Sequence, residues 1–304
     1  HYLRFVGPIY AALPDTLRGM LYVGAEDRLI DQARAYGEPL LGYPRREGGP
    51  VIVAGHNDMA QCPDRHFIFL EHGAGQPYLG IDSPSYSGGK RPRVALFLTL
   101  NEQTAARERA TNPDTPVEII GSPRVDELTR HAYDRRGTRP PAAPPVVAFC
   151  WHAHIKIAPE TRATYPYWWP AVKALHASGA FEVLGHGHPR EWRKLRGWYE
   201  KAGIEAVEEF SEVVARADLV CVDNSSTLYE AAACGLPVLA LNHPAYRRDV
   251  EHGLRFWNAI PGVQCDDPER LPQRIALALA DLHETANARQ LIVDNVYPPW
   301  TRGR

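Results

Sequence analysis

Residues 217–241, ADLVCVDNSSTLYEAAACGLPVLAL, constrain the fold more than any other stretch of the chain. Leu219–Val222 is an uninterrupted apolar run, which suits a strand buried on both faces. It ends at Asp223, passes through Asn224, Ser225, Ser226 and Thr227, and enters an Ala-rich helical stretch that runs to Cys234. Gly235-Leu236-Pro237 then stops the helix before a second apolar run, Val238–Leu241. A buried strand, one short helix and another buried strand make a right-handed crossover, so the sheet is parallel and the fold is α/β.

The same alternation extends in both directions. Spacing predicts an opening helix over Tyr2–Leu13, strands at Met20–Val23, Val51–Ala54, His66–Leu70, Val94–Leu98 and Val117–Ile120, and a short helix after Asp126. An α/β unit normally starts on a strand, so the opening helix makes the first unit either atypical or short of one. Residues 137–145 (GTRPPAAPP) resist regular structure. This places a first domain at 1–138, a Pro-rich linker at 139–145, a second domain at 146–290 and a tail at 291–304 that packs back on the first. The second domain is expected to carry strands Val146–Trp151, Phe181–Leu184, Leu219–Val222 and Val238–Leu241. Its helices are expected near Trp168–Ser178, Glu191–Ala202, Ser226–Cys234 and Pro268–Glu284.

Composition removes several classes. With 304 residues, 44% hydrophobic content and a net charge of −2, the chain is neither disordered nor a general nucleic-acid binder, and no apolar run is long enough to span a membrane. Five cysteines, odd in number and scattered without a CxxC, fit a reducing, cytoplasmic setting. Processing before His1 stays open.

The turn at 223–227 offers hydroxyls and helix N–H groups to a phosphate, with Glu230 in reach of a ribose; the same residues also suit a plain N-capped helix. Gly185-His186-Gly187-His188-Pro189-Arg190 brings two imidazoles and a guanidinium to a strand end, where they suit a diphosphate. His152 and His154 repeat the spacing, which leaves a zinc reading and a reading as strand caps beside the anion site. Tyr165, Tyr167, Trp168 and Trp169 suit interdomain core or a stacking platform. Arg190, Arg193, Lys194 and Arg196 suit a solvated helix face, and Arg124 with Asp126 a salt-bridged turn.

Four stretches, in order, resemble GT-B glycosyltransferases, and most nearly the CDP-glycerol glycerophosphotransferase-like proteins. They are His72-Gly73 after a strand, Gly121-Ser122-Pro123-Arg124-Val125-Asp126, the histidines at 185–189, and Asp223-Asn224-Ser225-Ser226 with Glu230 and the Gly-x-Pro stop. The resemblance implies two Rossmann-like domains facing across a cleft. A nucleotide-diphosphate sugar donor would be held by the C-terminal one through His186, His188, Arg190, Asp223, Asn224, Ser225, Ser226, Thr227 and Glu230. His72, followed by Gly73 and Gly75, would be the base that takes a proton from a hydroxyl acceptor: a glycan, a lipid-linked group or a protein. The implied activity is glycosyl transfer, with glycerophosphate transfer or non-hydrolysing 2-epimerisation of a nucleotide sugar as alternatives and a non-enzymatic binder as a further rival. No cofactor, no metal, no nucleic acid and no transmembrane segment are expected. The chain offers no Asp-x-Asp motif at a strand end, and Asp266-Asp267 reads as the start of the last helix. Arg190 and a protonated His186 or His188 would then steady the departing diphosphate.

Overall fold

A computed structural model describes residues 2–24, 27–44, 48–74, 90–135, 143–156, 162–246, 260–280 and 283–301. The chain divides into two compact units: His1–Glu127 with Tyr297–Arg304, and Leu128–Val296. Most of the expected linker, residues 139–142, lies outside the described residues.

Unit 1 holds α1 (Leu3–Ala12), β1 (Tyr22–Val23), α2 (Asp27–Arg34), β2 (Leu40–Leu41), β3 (Val51–Val53), α3 (His56–Ala60), β4 (Phe67–Leu70), β5 (Val94–Thr99), α4 (Glu102–Thr111), β6 (Val117–Ile119) and the start of α5 (Pro123–Arg135). Strands β1 and β2 form a two-stranded parallel sheet, and β3-β4-β5-β6 a four-stranded one. Val53, Met59, Cys62, Phe67, Phe69, Val94 and Phe97 make the core of the larger sheet. Arg91 is the unusual member of that region. Its guanidinium lies 4.6 Å from the Phe69 ring centroid and 2.9 Å from Glu108 Oε1, and both charged side chains are 1% exposed. Asn112 donates to the other oxygen of Glu108, so the buried carboxylate is hydrogen-bonded as well as paired.

Unit 2 holds β7 (Val146–Trp151), α6 (Tyr165–Ala177), β8 (Glu182–Gly187), α7 (Trp192–Ala202), β9 (Glu205–Ala206), α8 (Phe210–Arg216), β10 (Leu219–Val222), α9 (Thr227–Ala233), β11 (Val238–Leu241), β12 (Val263–Cys265), α10 (Leu271–Ala280) and α11 (His283–Val296). Its six strands are all parallel, in the order β12-β11-β10-β7-β8-β9. Every residue of β7, β10 and β11 is buried, which is why these strands read as continuous apolar runs. The aromatic cluster belongs to this unit's own core: Trp168 and Tyr165 are buried in it, while Tyr167 and Trp169 pack against it. Gly185 and Gly187 also serve packing. A Cβ at either would collide with Tyr199 or Leu195 of α7, so helix and strand approach only because both positions are glycine.

Several boundaries differ from the sequence reading. β8 continues to Gly187 rather than stopping at Leu184, because its last residues are small or polar but still laddered to β7. α6 starts at Tyr165, with Pro166 in its first turn. α4 and α8 were not expected. The single closing helix over Pro268–Glu284 is instead a 3-10 turn, Pro268–Arg270, followed by α10 and α11. Of the expected tail, residues 291–296 complete α11 in unit 2, and Tyr297–Thr301 belong to unit 1. There Thr301 packs on Gly121, whose φ of +71° and lack of Cβ admit it.

Removing Glu108 leaves Arg91 buried without its carboxylate. Glu108→Ala should cost about 3–5 kcal/mol in urea unfolding, the usual penalty for an orphaned buried charge. A loss under about 1 kcal/mol would mean the pair is not buried as described.

Candidate functional site at the carboxyl edge of unit 2

In unit 2 the chain proceeds from β7 to one side through β8 and β9, then returns to the other flank of β7 with β10, β11 and β12. β7 and β10 are therefore the neighbours at which strand order reverses, and ligands of open α/β sheets settle at the carboxyl ends of such a pair. The residues leaving the strands there are His152, His188, Asp223 and Asn242.

Asp223 is 4% exposed and ties two connections together. Its Oδ1 accepts from the backbone N–H of His152 at 2.9 Å and its Oδ2 from that of Thr164 at 3.0 Å. The expected donor contact of Asp223 is thus corrected: its carboxylate is spent holding both ends of the β7–α6 connection against β10. Asn224 is likewise buried and donates to the Arg162 carbonyl at 3.4 Å.

The next three residues shape the turn. Ser225 Oγ accepts from the Thr227 N–H at 3.3 Å, and Ser226 Oγ donates to Glu230 Oε1 at 3.3 Å. Thr227 Oγ1 is shielded from solvent and has no hydrogen-bond partner among the described residues. Such a group costs stability unless something else satisfies it. α9 has only seven residues, so its dipole is short and the hydroxyls and N–H groups must supply most of any anion preference. Glu230 is 2% exposed and lies inside this helix.

The histidines do not gather as the sequence suggested. His186 turns into the core, its Nδ1 2.9 Å from the Val207 carbonyl and its ring 5.4 Å from Phe210, so it does not present its imidazole with His188. His152 takes that place. The His152 and His188 rings lie 5.5 Å apart, edge to face, across the ends of β7 and β8. His154 is exposed, with its N–H toward Glu191, and Arg190 is exposed. Among the described residues no group of three or more His, Cys, Asp or Glu side chains is placed to hold a metal ion.

Sequence reasoning missed His243. The signal was available: His243-Pro244 comes just after β11 as His188-Pro189 comes just after β8.

In unit 1, His72 follows β4 and is covered by α1, with its ring 4.1 Å from Tyr2 and 5.7 Å from Phe5. Burial pushes its pKa from 6.5 down to about 4, partly offset by a hydrogen bond to the Ala54 backbone. The imidazole is therefore neutral near pH 7, the form a base requires. Gly73 is described, at φ +67°, and Gly75 lies outside the described residues. Arg124 stands over the Phe5 ring at 5.2 Å.

No family profile and no curated protein matches the chain by sequence. Solved structures match it in fold. The Staphylococcus aureus MnaA–UDP co-structure is 12% identical and covers 98% of this chain and 90% of its own, with a TM-score of 0.64. UDP-GlcNAc 2-epimerase from Neisseria meningitidis, bound to UDP-GlcNAc, is 12% identical over 96% and 95%, at 0.54. The wall teichoic acid polymerase TagF is 15% identical over 90% and 72%, at 0.53. Against the H548A form of TagF this chain spans 64% of that chain's length. These likenesses establish the fold: the chain is built from the Rossmann-like units of the GT-B type.

The depressed pKa of His72 makes a stability prediction. Between pH 6.5 and 4 the unfolded chain binds a proton at this site that the folded chain refuses, so its contribution is intact above 6.5 and lost as pH falls through about 4. In urea titrations His72→Phe should lose roughly 3 kcal/mol less than the parent between pH 7 and 4. Parallel pH profiles would show that the imidazole is not sequestered.

Proposed function

We propose that the chain is a glycosyltransferase that moves a sugar from a nucleotide-diphosphate donor to a hydroxyl acceptor. One observation carries this reading: at the strand-order reversal of unit 2, a Ser-Ser-Thr turn with an unsatisfied hydroxyl stands one strand from an imidazole pair. Ser225, Ser226 and Thr227 would take the phosphates and Glu230 the ribose. His152, His188 and Arg190 would steady the departing diphosphate. In the reaction His72 accepts the acceptor's proton, the acceptor oxygen bonds to the sugar's anomeric carbon, and the bond from that carbon to the diphosphate oxygen breaks. The guanidinium charge of Arg190, with the N–H donors of His188 and of the turn, makes a divalent metal unnecessary in this account.

Glycerophosphate transfer is the variant suggested by the likeness to TagF. Epimerisation is the second reading, supported by the likeness to the Neisseria meningitidis UDP-GlcNAc 2-epimerase over nearly the whole of both chains. Products separate them, because epimerisation needs no acceptor. None of the five buried cysteines is in a disulfide, which supports a cytoplasmic setting, and no helix among the described residues is long and apolar enough to cross a membrane.

A thermal-shift panel of UDP-, CDP-, GDP- and dTDP-sugars should show one family of ligands raising the melting temperature. Calorimetry of the Ser225→Ala/Ser226→Ala variant should then show donor binding weakened by about 1–3 kcal/mol. Unchanged affinity would remove the turn from the site.

His72→Ala should lower turnover by about 10²- to 10⁴-fold with little change in donor affinity. Activity should survive EDTA; collapse in EDTA and recovery with Mg²⁺ would overturn the metal-free account.

A further inference from the structure

Two strands of unit 2, β8 and β11, end in the same small device. Each runs into His-Pro, and in each the first N–H after the proline folds back onto the histidine. Arg190 N donates to His188 Nδ1 at 3.1 Å and Ala245 N donates to His243 Nδ1 at 3.0 Å. Proline makes this possible, since it has no N–H of its own and fixes the turn. A ring nitrogen that accepts a hydrogen bond carries no proton, so each neutral imidazole is held with its proton on Nε2. Both turns therefore present one oriented N–H donor.

Sheet order places the two symmetrically. β11 and β8 flank the central pair β10 and β7, so the turns stand three interstrand spacings apart, about 14 Å. His188 has His152 beside it. His243 has different company: the rings of Tyr167 and Tyr246 lie 5.0 and 6.0 Å from its own. The turn itself is braced. Asn242 donates to Gln264 and Asp266, its carbonyl accepts from Trp168 Nε1 at 2.9 Å, and the Tyr246 hydroxyl donates to the Arg162 carbonyl. Burial and the charge of Arg162 lower the pKa of His243, which keeps it a neutral donor.

A neutral N–H beside two aromatic faces suits a polyhydroxyl group better than a phosphate: the N–H bonds a hydroxyl oxygen and the rings take a C–H face. We infer that His243, with Tyr167 and Tyr246, binds the sugar or polyol end of an extended donor whose diphosphate lies at the β10–α9 turn and His188. The inference rests on the proposed nucleotide-sugar reading and adds which residues read the transferred group.

Calorimetry with two probes tests it: the nucleoside diphosphate that the thermal-shift panel selects, and the same nucleotide carrying its sugar. His243→Ala should weaken the sugar-bearing probe by about 3- to 10-fold and leave the bare nucleotide unchanged. His243→Gln, which keeps a side-chain N–H, should recover part of the loss. An equal loss for both probes, or none for either, overturns the assignment of His243 while leaving nucleotide binding in place. Binding of neither probe by the parent protein overturns the nucleotide-sugar reading and this inference with it.

Discussion

A single buried carboxylate sets the carboxyl edge of unit 2. Asp223 closes β10 and accepts N–H groups from both ends of the connection between β7 and α6. A carboxylate that accepts backbone donors forms stronger hydrogen bonds than a neutral group would, so the connection is held where it leaves β7 and where it enters α6. His152 lies at the first of those points, and its position against His188 follows from it. Asn224, the next residue, reaches the carbonyl of Arg162, two residues before Thr164. The edge is thus ordered by residues that spend their polarity on backbone, with the Ser-Ser-Thr turn and the His152–His188 pair set beside them.

Much of this architecture was legible because parallel strands buried on both faces write themselves as apolar runs. β7, β10 and β11 were read to the residue, and α9 was bracketed by the hydroxyl turn and the Gly-x-Pro stop. α4 was invisible for the opposite reason. Its sequence, EQTAARERAT, has no apolar stripe, and it is set by the reciprocal bonds of Asn101 and Thr104 and by Glu108 reaching Arg91. The cap is local, but the pairing of Glu108 with Arg91, seventeen residues away, leaves no local pattern.

The site was legible in kind but not in assignment. The Ser-rich turn stands where strand order reverses, a fact of sheet order that adjacent residues cannot encode. His186 and His188 look equivalent on paper; one belongs to the strand and finds the Val207 carbonyl, while the other lies past its end. Gly185 and Gly187, which sequence alone left without a role, are room for α7. His72 was identifiable after its strand, but its cover by Tyr2 and Phe5 comes from a helix some seventy residues away in sequence.

The seat of Thr301 on Gly121 has a bearing on how the chain is made. Unit 1 is discontinuous, since its last pieces are translated only after all of unit 2. At about 5–20 residues per second, synthesis of the intervening segment takes on the order of 10–30 s. During that time unit 1 stands on the ribosome with the Gly121 site uncovered, and unit 2 is the first to have its whole sequence available. Completion of the earlier unit therefore waits on the later one, and a nascent chain stalled just past Val296 would carry the whole sequence of the second unit beside an incomplete first.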